Sequence, residues 1–235
     1  MRVIILTSYP KMFPGTLGHS VVGNALDNKK FNLEIIDLHK YGIDQRGSID
    51  DEPFGGGPGM VIRPDVIENA LSSITYNSKN PLKVFLTPSG INLTQKKLED
   101  MSKYEEIIIL CGRFEGVDQR AIEILGFQEI SIGDYVLSGG EIAAQELVEG
   151  CIRLIPGVLG HPQSLLEESF SNNLLEYPHY TRPKVWEDNQ GNKHEVPDVL
   201  TSGHHDKIKR WRKKKSVEKT KKLRPDLLKK GIQNE

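Results

Sequence analysis

Three short aliphatic runs, near 83–86, 107–111 and 127–132, do most to limit how this chain can fold. Each ends in a glycine-containing turn, and a helical pattern follows each turn. Lys83 to Leu86 runs into Thr87-Pro88-Ser89-Gly90, and Ile107 to Cys111 runs into Gly112 to Asp118. Phe127 to Ile132 runs into a stretch that closes on Ser138-Gly139-Gly140. Strands joined by helices of this length lie parallel, with right-handed crossovers. Their carboxyl ends share one edge of a sheet, so the three turns converge there. Open α/β proteins hold small ligands at that edge, and glycine lets backbone come close to a ligand. One such turn is an ordinary strand-to-helix connection; three on one edge make a pocket.

The remaining elements fit an α/β body. Val3 to Leu6 and Leu33 to Leu38 have the aliphatic character of buried strands. Leu17 to Leu26 has helical spacing, and Pro64 opens another helix through Leu71. Thr94 is the expected cap of a helix from Gln95, Asp118 of one from Gln119 to Leu125. A last body helix runs from Glu141 to Leu154. From Pro156 to Pro197 the chain is rich in Pro, Ser, Asn, Glu and His and loses periodicity, as linkers and functional loops do. Helical spacing returns from Asp198 to Trp211, and a basic helix continues through Leu228. The expected organisation is a body over 1–160, a linker or loop over 161–197, and a small helical domain over 198–235.

The net charge of −1 hides a polarity. Residues 207–230 carry 13 Lys and Arg against Glu218 and Asp226, a net of +11, and the rest of the chain carries −12. A basic segment on an acidic body is the footprint of a polyanion partner, or else a solvated tail. No apolar run is long enough to span a membrane, and the N-terminal run is too short for a signal peptide. Cys111 and Cys151 lack metal-type spacing, which with the absence of targeting segments suggests a reducing cytoplasm.

Several chemistries are excluded. Phe54-Gly55-Gly56-Gly57-Pro58-Gly59-Met60 has no Lys-Ser/Thr after it, so it is no phosphate loop of the Walker type. Met60 stands where a dinucleotide fingerprint needs its third glycine. His204-His205 is an adjacent pair, not a pair on one helix face, so no zinc site is visible. No Gly-x-Ser-x-Gly elbow is present. What remains is a sheet edge of backbone amides and carbonyls, with Tyr135, Glu115 and Asp134. Such a pocket suits an uncharged heterocycle, as in S-adenosylmethionine, NAD or a nucleoside.

Five longer words occur in order: Phe54 to Met60, Cys111 to Asp118, Ser131 to Gly140, Pro178-His179-Tyr180-Thr181-Arg182-Pro183, and Ser202-Gly203-His204-His205. In these words the chain resembles the bacterial tRNA (guanine-N1)-methyltransferase family, TrmD, of the SPOUT class, from Met1 to about Trp211. The resemblance implies a parallel α/β sheet threaded into a deep C-terminal trefoil knot that binds S-adenosylmethionine. It also implies an obligate homodimer whose active sites draw on both chains. The product implied is 1-methylguanosine just 3′ of the tRNA anticodon. Carried over residue by residue, the cofactor site comprises Phe85, Leu86, Thr87, Pro88, Gly112 and Glu115. It continues through Ile132, Gly133, Asp134, Tyr135, Val136, Leu137, Ser138, Gly139 and Gly140.

The same resemblance assigns two catalytic roles. Guanine N1 holds a proton and becomes nucleophilic only as a general base removes it. Negative charge then grows on O6, where a guanidinium can stabilise it. The base position falls on Glu168, ahead of Ser169-Phe170, and the guanidinium on Arg153, ahead of Pro156-Gly157-Val158-Leu159. The family usually has Asp where Glu168 stands; Glu167 is the neighbouring alternative. Phe114, Thr87-Pro88-Ser89 and Ala143 are smaller departures. Mg²⁺ is a candidate cofactor, with Glu115 its nearest contact and no ligand set visible. His179, Tyr180, Arg182, His204 and His205 are expected either at tRNA or in loop structure, and Arg113 either in a pair with Glu115 or Asp118 or at the ligand; Phe114 and Ala143 are expected to line or flank the pocket. Two alternatives are a SPOUT enzyme with another target atom and a non-catalytic RNA-binding relative.

Overall fold

The strand Glu106–Cys111 is buried at every position, which only a central strand covered on both faces can be. The computed structural model describes residues 1–160 and 168–230. The chain divides into two units, Met1–Gly160 and His161–Glu235.

The first unit holds a five-stranded sheet. Its strands are β1 (Arg2–Thr7), β2 (Asn32–Asp37), β5 (Leu82–Asn92), β6 (Glu106–Cys111) and β7 (Gln128–Ser131), in the order β2-β1-β6-β5-β7. Every neighbouring pair is parallel. Two short strands, β3 (Asp50–Asp51) and β4 (Val61–Ile62), pair antiparallel outside this sheet. Between the strands run α1 (Ser20–Asp27), α2 (Pro64–Ser72), α3 (Gln95–Met101) and α4 (Gln119–Leu125), and α5 (Glu141–Ile152) follows β7.

Side-chain alternation splits the core into two layers. Val3, Ile5, Ile107, Ile109 and Cys111 meet Val22, Ala144, Leu147, Val148 and Cys151 from α1 and α5. Ile4, Leu6, Ile108 and Leu110 meet Val66, Ile67, Ala70, Ala121 and Ile122 from α2 and α4. Each fully buried isoleucine contributes roughly 1.5–3 kcal/mol of transfer free energy.

Local signals set the helix starts. Thr94 Oγ1 accepts from the Lys97 amide at 3.3 Å, and Asp118 Oδ1 from the Arg120 amide at 2.9 Å. Pro64 is the first residue of α2. One strand departs from expectation. The run at 83–86 does not end at Thr87-Pro88-Ser89-Gly90; the chain makes an excursion there and returns. Leu86 and Ile91 both register on Ile130 of β7. Gly90 lies so close to the Glu129–Ile130 backbone that a Cβ on it would stand 2.6 Å from the Ile130 carbonyl carbon.

In the second unit, the span expected to be irregular contains a hairpin, β8 (Val185–Glu187) with β9 (Lys193–Glu195). The expected helix from Asp198 is two helices, α6 (Asp198–Thr201) and α7 (His205–Leu223), broken where Gly203 takes φ +71°. Pro225 then starts α8 (Pro225–Lys230). The segment 174–180 lies along α7. Thr220 Oγ1 accepts from the Leu175 amide at 2.9 Å and donates to the Ser216 carbonyl at 2.7 Å. Lys219 Nζ reaches the Glu176 carbonyl at 3.1 Å, and Arg212 lies 4.7 Å over the Tyr177 ring. Trp211 meets the Tyr180 ring edge-on at 6.1 Å, a packing role. No helix among the described residues is long and apolar enough to cross a membrane.

Candidate active site

The turns that follow β6 and β7 meet at one edge, as their spacing predicts, and the excursion within β5 joins them there although that strand does not end at it. A cavity of about 280 Å³ lies among them. Phe85, Leu86, Thr87 and Pro88 line it from β5, and Gly112 and Glu115 from the turn after β6. Ile132, Gly133 and Tyr135 through Gly140 line it from the stretch after β7. Asp134, expected with them, does not line it. Phe114 and Ala143, expected to line or flank the pocket, do line it, as do Arg113 and Gly116.

Backbone builds most of the wall. The Gly140 amide donates to the Gly112 carbonyl at 2.9 Å, and Arg113 and Gly139 form an antiparallel bridge. A Cβ on Gly140 would stand 2.9 Å from Cys111 Cα and 3.1 Å from the Gly112 nitrogen, closer than backbone tolerates. A Cβ on Gly112 would stand 2.9 Å from the Phe85 ring. The Ser131 hydroxyl donates to the Gly133 carbonyl at 3.0 Å and accepts from the Gly133 amide at 3.2 Å. Phe114 holds φ +58°, in the left-handed region that a bulky side chain rarely adopts.

The glycine-rich loop belongs to the same edge. The Glu115 amide donates to the Met60 carbonyl at 3.0 Å, the Ile62 amide to Gly116 and the Asp118 amide to Ile62, also at 3.0 Å each. Gly59, at φ +85°, packs on the Glu115 side chain so tightly that a Cβ would stand 2.8 Å from its carboxyl carbon. The loop is thus a partner of the turn after β6, which its composition did not reveal.

The charges also differ from expectation. Arg113 pairs with neither Glu115 nor Asp118. Its Nε lies 3.0 Å from Glu141 Oε2, at a carboxylate 1% exposed. Asp118 instead pairs with Arg120 at 2.7 Å, and the hydrogen bond from Arg120 holds its carboxyl below the usual range. Burial pushes the Cys111 thiol well up and the Cys151 thiol to about 12, so neither is a thiolate nucleophile at neutral pH. Glu141 was missed because an acidic residue at a helix start is commonplace; only its distance from solvent marks it.

Arg153 is the C-cap of α5 and half-buried. Glu168, also half-buried, is the first described residue of the second unit. Glu167 lies outside the described residues. His179 Nε2 is 2.7 Å from Glu176 Oε1, and Tyr180 and Arg182 are exposed. The His204 amide donates to Ser202 Oγ at 3.3 Å, while the His204 and His205 side chains are exposed. No group of three or more His, Cys, Asp or Glu placed to hold a metal occurs among the described residues.

A parallel α/β unit with a backbone-lined cavity beyond its strand ends is of the open-sheet ligand-binding class. The family described as tRNA (guanine-1)-methyltransferase TrmD matches residues 1–230. A tRNA (guanine-N(1)-)-methyltransferase of Rhodospirillum rubrum is 49% identical over 97% of this chain and 92% of its own. One from Wolbachia pipientis of Culex pipiens is 48% identical over 96% of each, and one from Rhizobium etli 44% over 97% and 96%. The chain belongs to the tRNA (guanine-1)-methyltransferase family.

Proposed function

We propose that this enzyme methylates N1 of the guanine just 3′ of the anticodon in tRNA, using S-adenosylmethionine bound at the edge beyond β5, β6 and β7. The observation that carries this reading is the convergence of the three glycine turns on one cavity in a chain of this family. The cavity suits the donor. Its walls offer backbone amides and carbonyls for an uncharged purine, and Gly112 and Gly140 let those walls pack closely, since a Cβ on either would meet the Phe85 ring or the Cys111–Gly112 backbone. Leu86, Gly112, Ile132, Gly133 and the stretch from Tyr135 to Gly140 would hold the adenosyl part, with Glu115 facing a ribose hydroxyl or the cationic end. Bound there, the donor supplies an electrophilic methyl group.

The chain's own residues then act on the guanine. Glu168 accepts the N1 proton, which turns N1 into a nucleophile. Arg153 stabilises the negative charge that grows on O6 as the proton leaves. The transfer itself is a direct displacement that depends on alignment. Glu168 is about one methylene longer than the family's usual Asp, so it differs in reach, and the geometry of proton transfer is sensitive to about an ångström. The remaining assignments follow the family: a trefoil knot in the body, a homodimer with composite active sites, a substrate loop within 161–197, tRNA binding by 198–235, and a cytoplasmic location. Glu115 is the candidate contact for Mg²⁺; one carboxylate is not a site by itself, and no step here depends on the ion.

The experiment is methyl transfer to unmodified tRNA, with product nucleosides identified by mass spectrometry. 1-Methylguanosine is expected; a different methylated nucleoside, or none, overturns the assignment. Glu168→Ala should abolish turnover while leaving S-adenosylmethionine affinity unchanged. Near-native turnover in that variant would remove Glu168 as the base.

A further inference from the structure

We propose that Arg113 is a positioning residue of the donor cavity, acting through the backbone of Ser138 to Gly140. This rests on the reading of that cavity as the S-adenosylmethionine site. The guanidinium is held on several sides. Besides the 3.0 Å pair with Glu141, Nη1 donates to the Ser138 carbonyl at 3.1 Å. Nη2 lies 3.5 Å from Met12 Sδ, and the guanidinium carbon stands 4.2 Å over the Tyr9 ring. Glu141 is anchored in turn: its Oε1 accepts from Thr7 Oγ1 at 2.8 Å, and Thr7 Oγ1 accepts from the Tyr9 amide at 2.9 Å. One turn further along α5, Gln145 Oε1 accepts from the Thr16 amide at 2.9 Å and from Thr16 Oγ1 at 2.8 Å. Two buried polar residues of α5 therefore fasten the chain after β1, and that chain presses Tyr9 onto Arg113.

What this assembly fixes is the cavity wall. Gly139 passes so close that a Cβ on it would stand 2.6 Å from Arg113 Cζ, and Arg113 also bridges Gly139 through its backbone. A buried ion pair is a poor device for stability alone, since apolar replacements are often as stable. Its effect here is to hold the Ser138 carbonyl and Gly139 in place before the ligand arrives, and a preorganised wall lowers the cost of binding.

Two variants of the full chain, with Arg113→Met alone as the reference for melting, test the idea by titration calorimetry with S-adenosylmethionine and by steady-state kinetics. Arg113→Lys keeps the charge and loses the fork. The double variant Arg113→Met/Glu141→Gln leaves no uncompensated charge, so it should regain the melting temperature that Arg113→Met alone loses. Donor affinity should fall about tenfold or more in both, with KM for the donor raised, and kcat at saturating donor and KM for tRNA close to native. Native donor affinity in either folded variant makes the pair a structural fixture and overturns the proposal. Absence of donor binding by the unaltered chain overturns the reading of the cavity, and this proposal with it.

Discussion

Gly140 shows how single residues define the site. Its amide ties the stretch after β7 to Gly112, and its missing side chain lets the two backbones touch. Gly140→Ala should force them apart, costing about 1–3 kcal/mol of stability as overpacking does and weakening donor binding; melting and calorimetry check both, and a silent substitution would contradict the close approach. Some residue roles were legible because they are local. Thr94, Asp118 and Pro64 act within a few positions, and their chemistry is written beside the helices they start. The pairing of Arg113 with Glu141 was not legible. It spans two turns, and only the parallel sheet brings them together, so nearer acids such as Glu115 and Asp118 looked equally suitable.

At the scale of elements, β6 and the helices around it were readable from aliphatic runs and periodicity. The excursion in β5 was not, because the return to Ile130 is a long-range pairing with no local signature. The hairpin of β8 and β9 was hidden by short strands of mixed polarity. Its turn is organised by Asp188, whose carboxylate accepts from the Gln190 and Asn192 amides at 2.9 Å and lies 3.0 Å from His194 Nε2. The bond to His194, with the Asn192 bonds, lowers the Asp188 carboxyl from 3.8 to about 2. A depressed carboxyl stabilises the folded hairpin above its unfolded value, and this is lost as pH falls through the folded one. Hairpin amide shifts should therefore report loosening as pH drops from 3.8 toward 2, and Asp188→Asn should abolish that dependence. On α7, Lys213, Lys214, Lys221 and Lys222 are exposed, whereas Ser216 and Thr220 are buried. Truncation would destroy the helix's packing along with its charge, so charge substitution is the cleaner test. Changing the four lysines to Gln should lower the slope of log affinity for tRNA against log salt by roughly 3; an unchanged slope would make them bystanders.

Across the whole molecule, charge and architecture divide the same way. The basic excess lies in 207–230, within the second unit, while the ligand cavity belongs to the acidic remainder. The body's fold class could be read because alternating strands and helices admit few parallel arrangements. Its finer threading could not, since no periodicity records which strand a chain comes back to. That return has a kinetic meaning. Because Leu86 and Ile91 both register on Ile130, and the Leu93 amide donates to Ser131 at 2.7 Å, the excursion that lines the cavity is stitched into the sheet at both ends. It cannot swing open as a surface flap does. The Leu93 and Gly140 amides should consequently exchange with deuterium as slowly as those of β6, through opening of the unit as a whole. Faster exchange, at the rate of exposed loops, would show that the floor of the cavity breathes independently of the sheet beneath it.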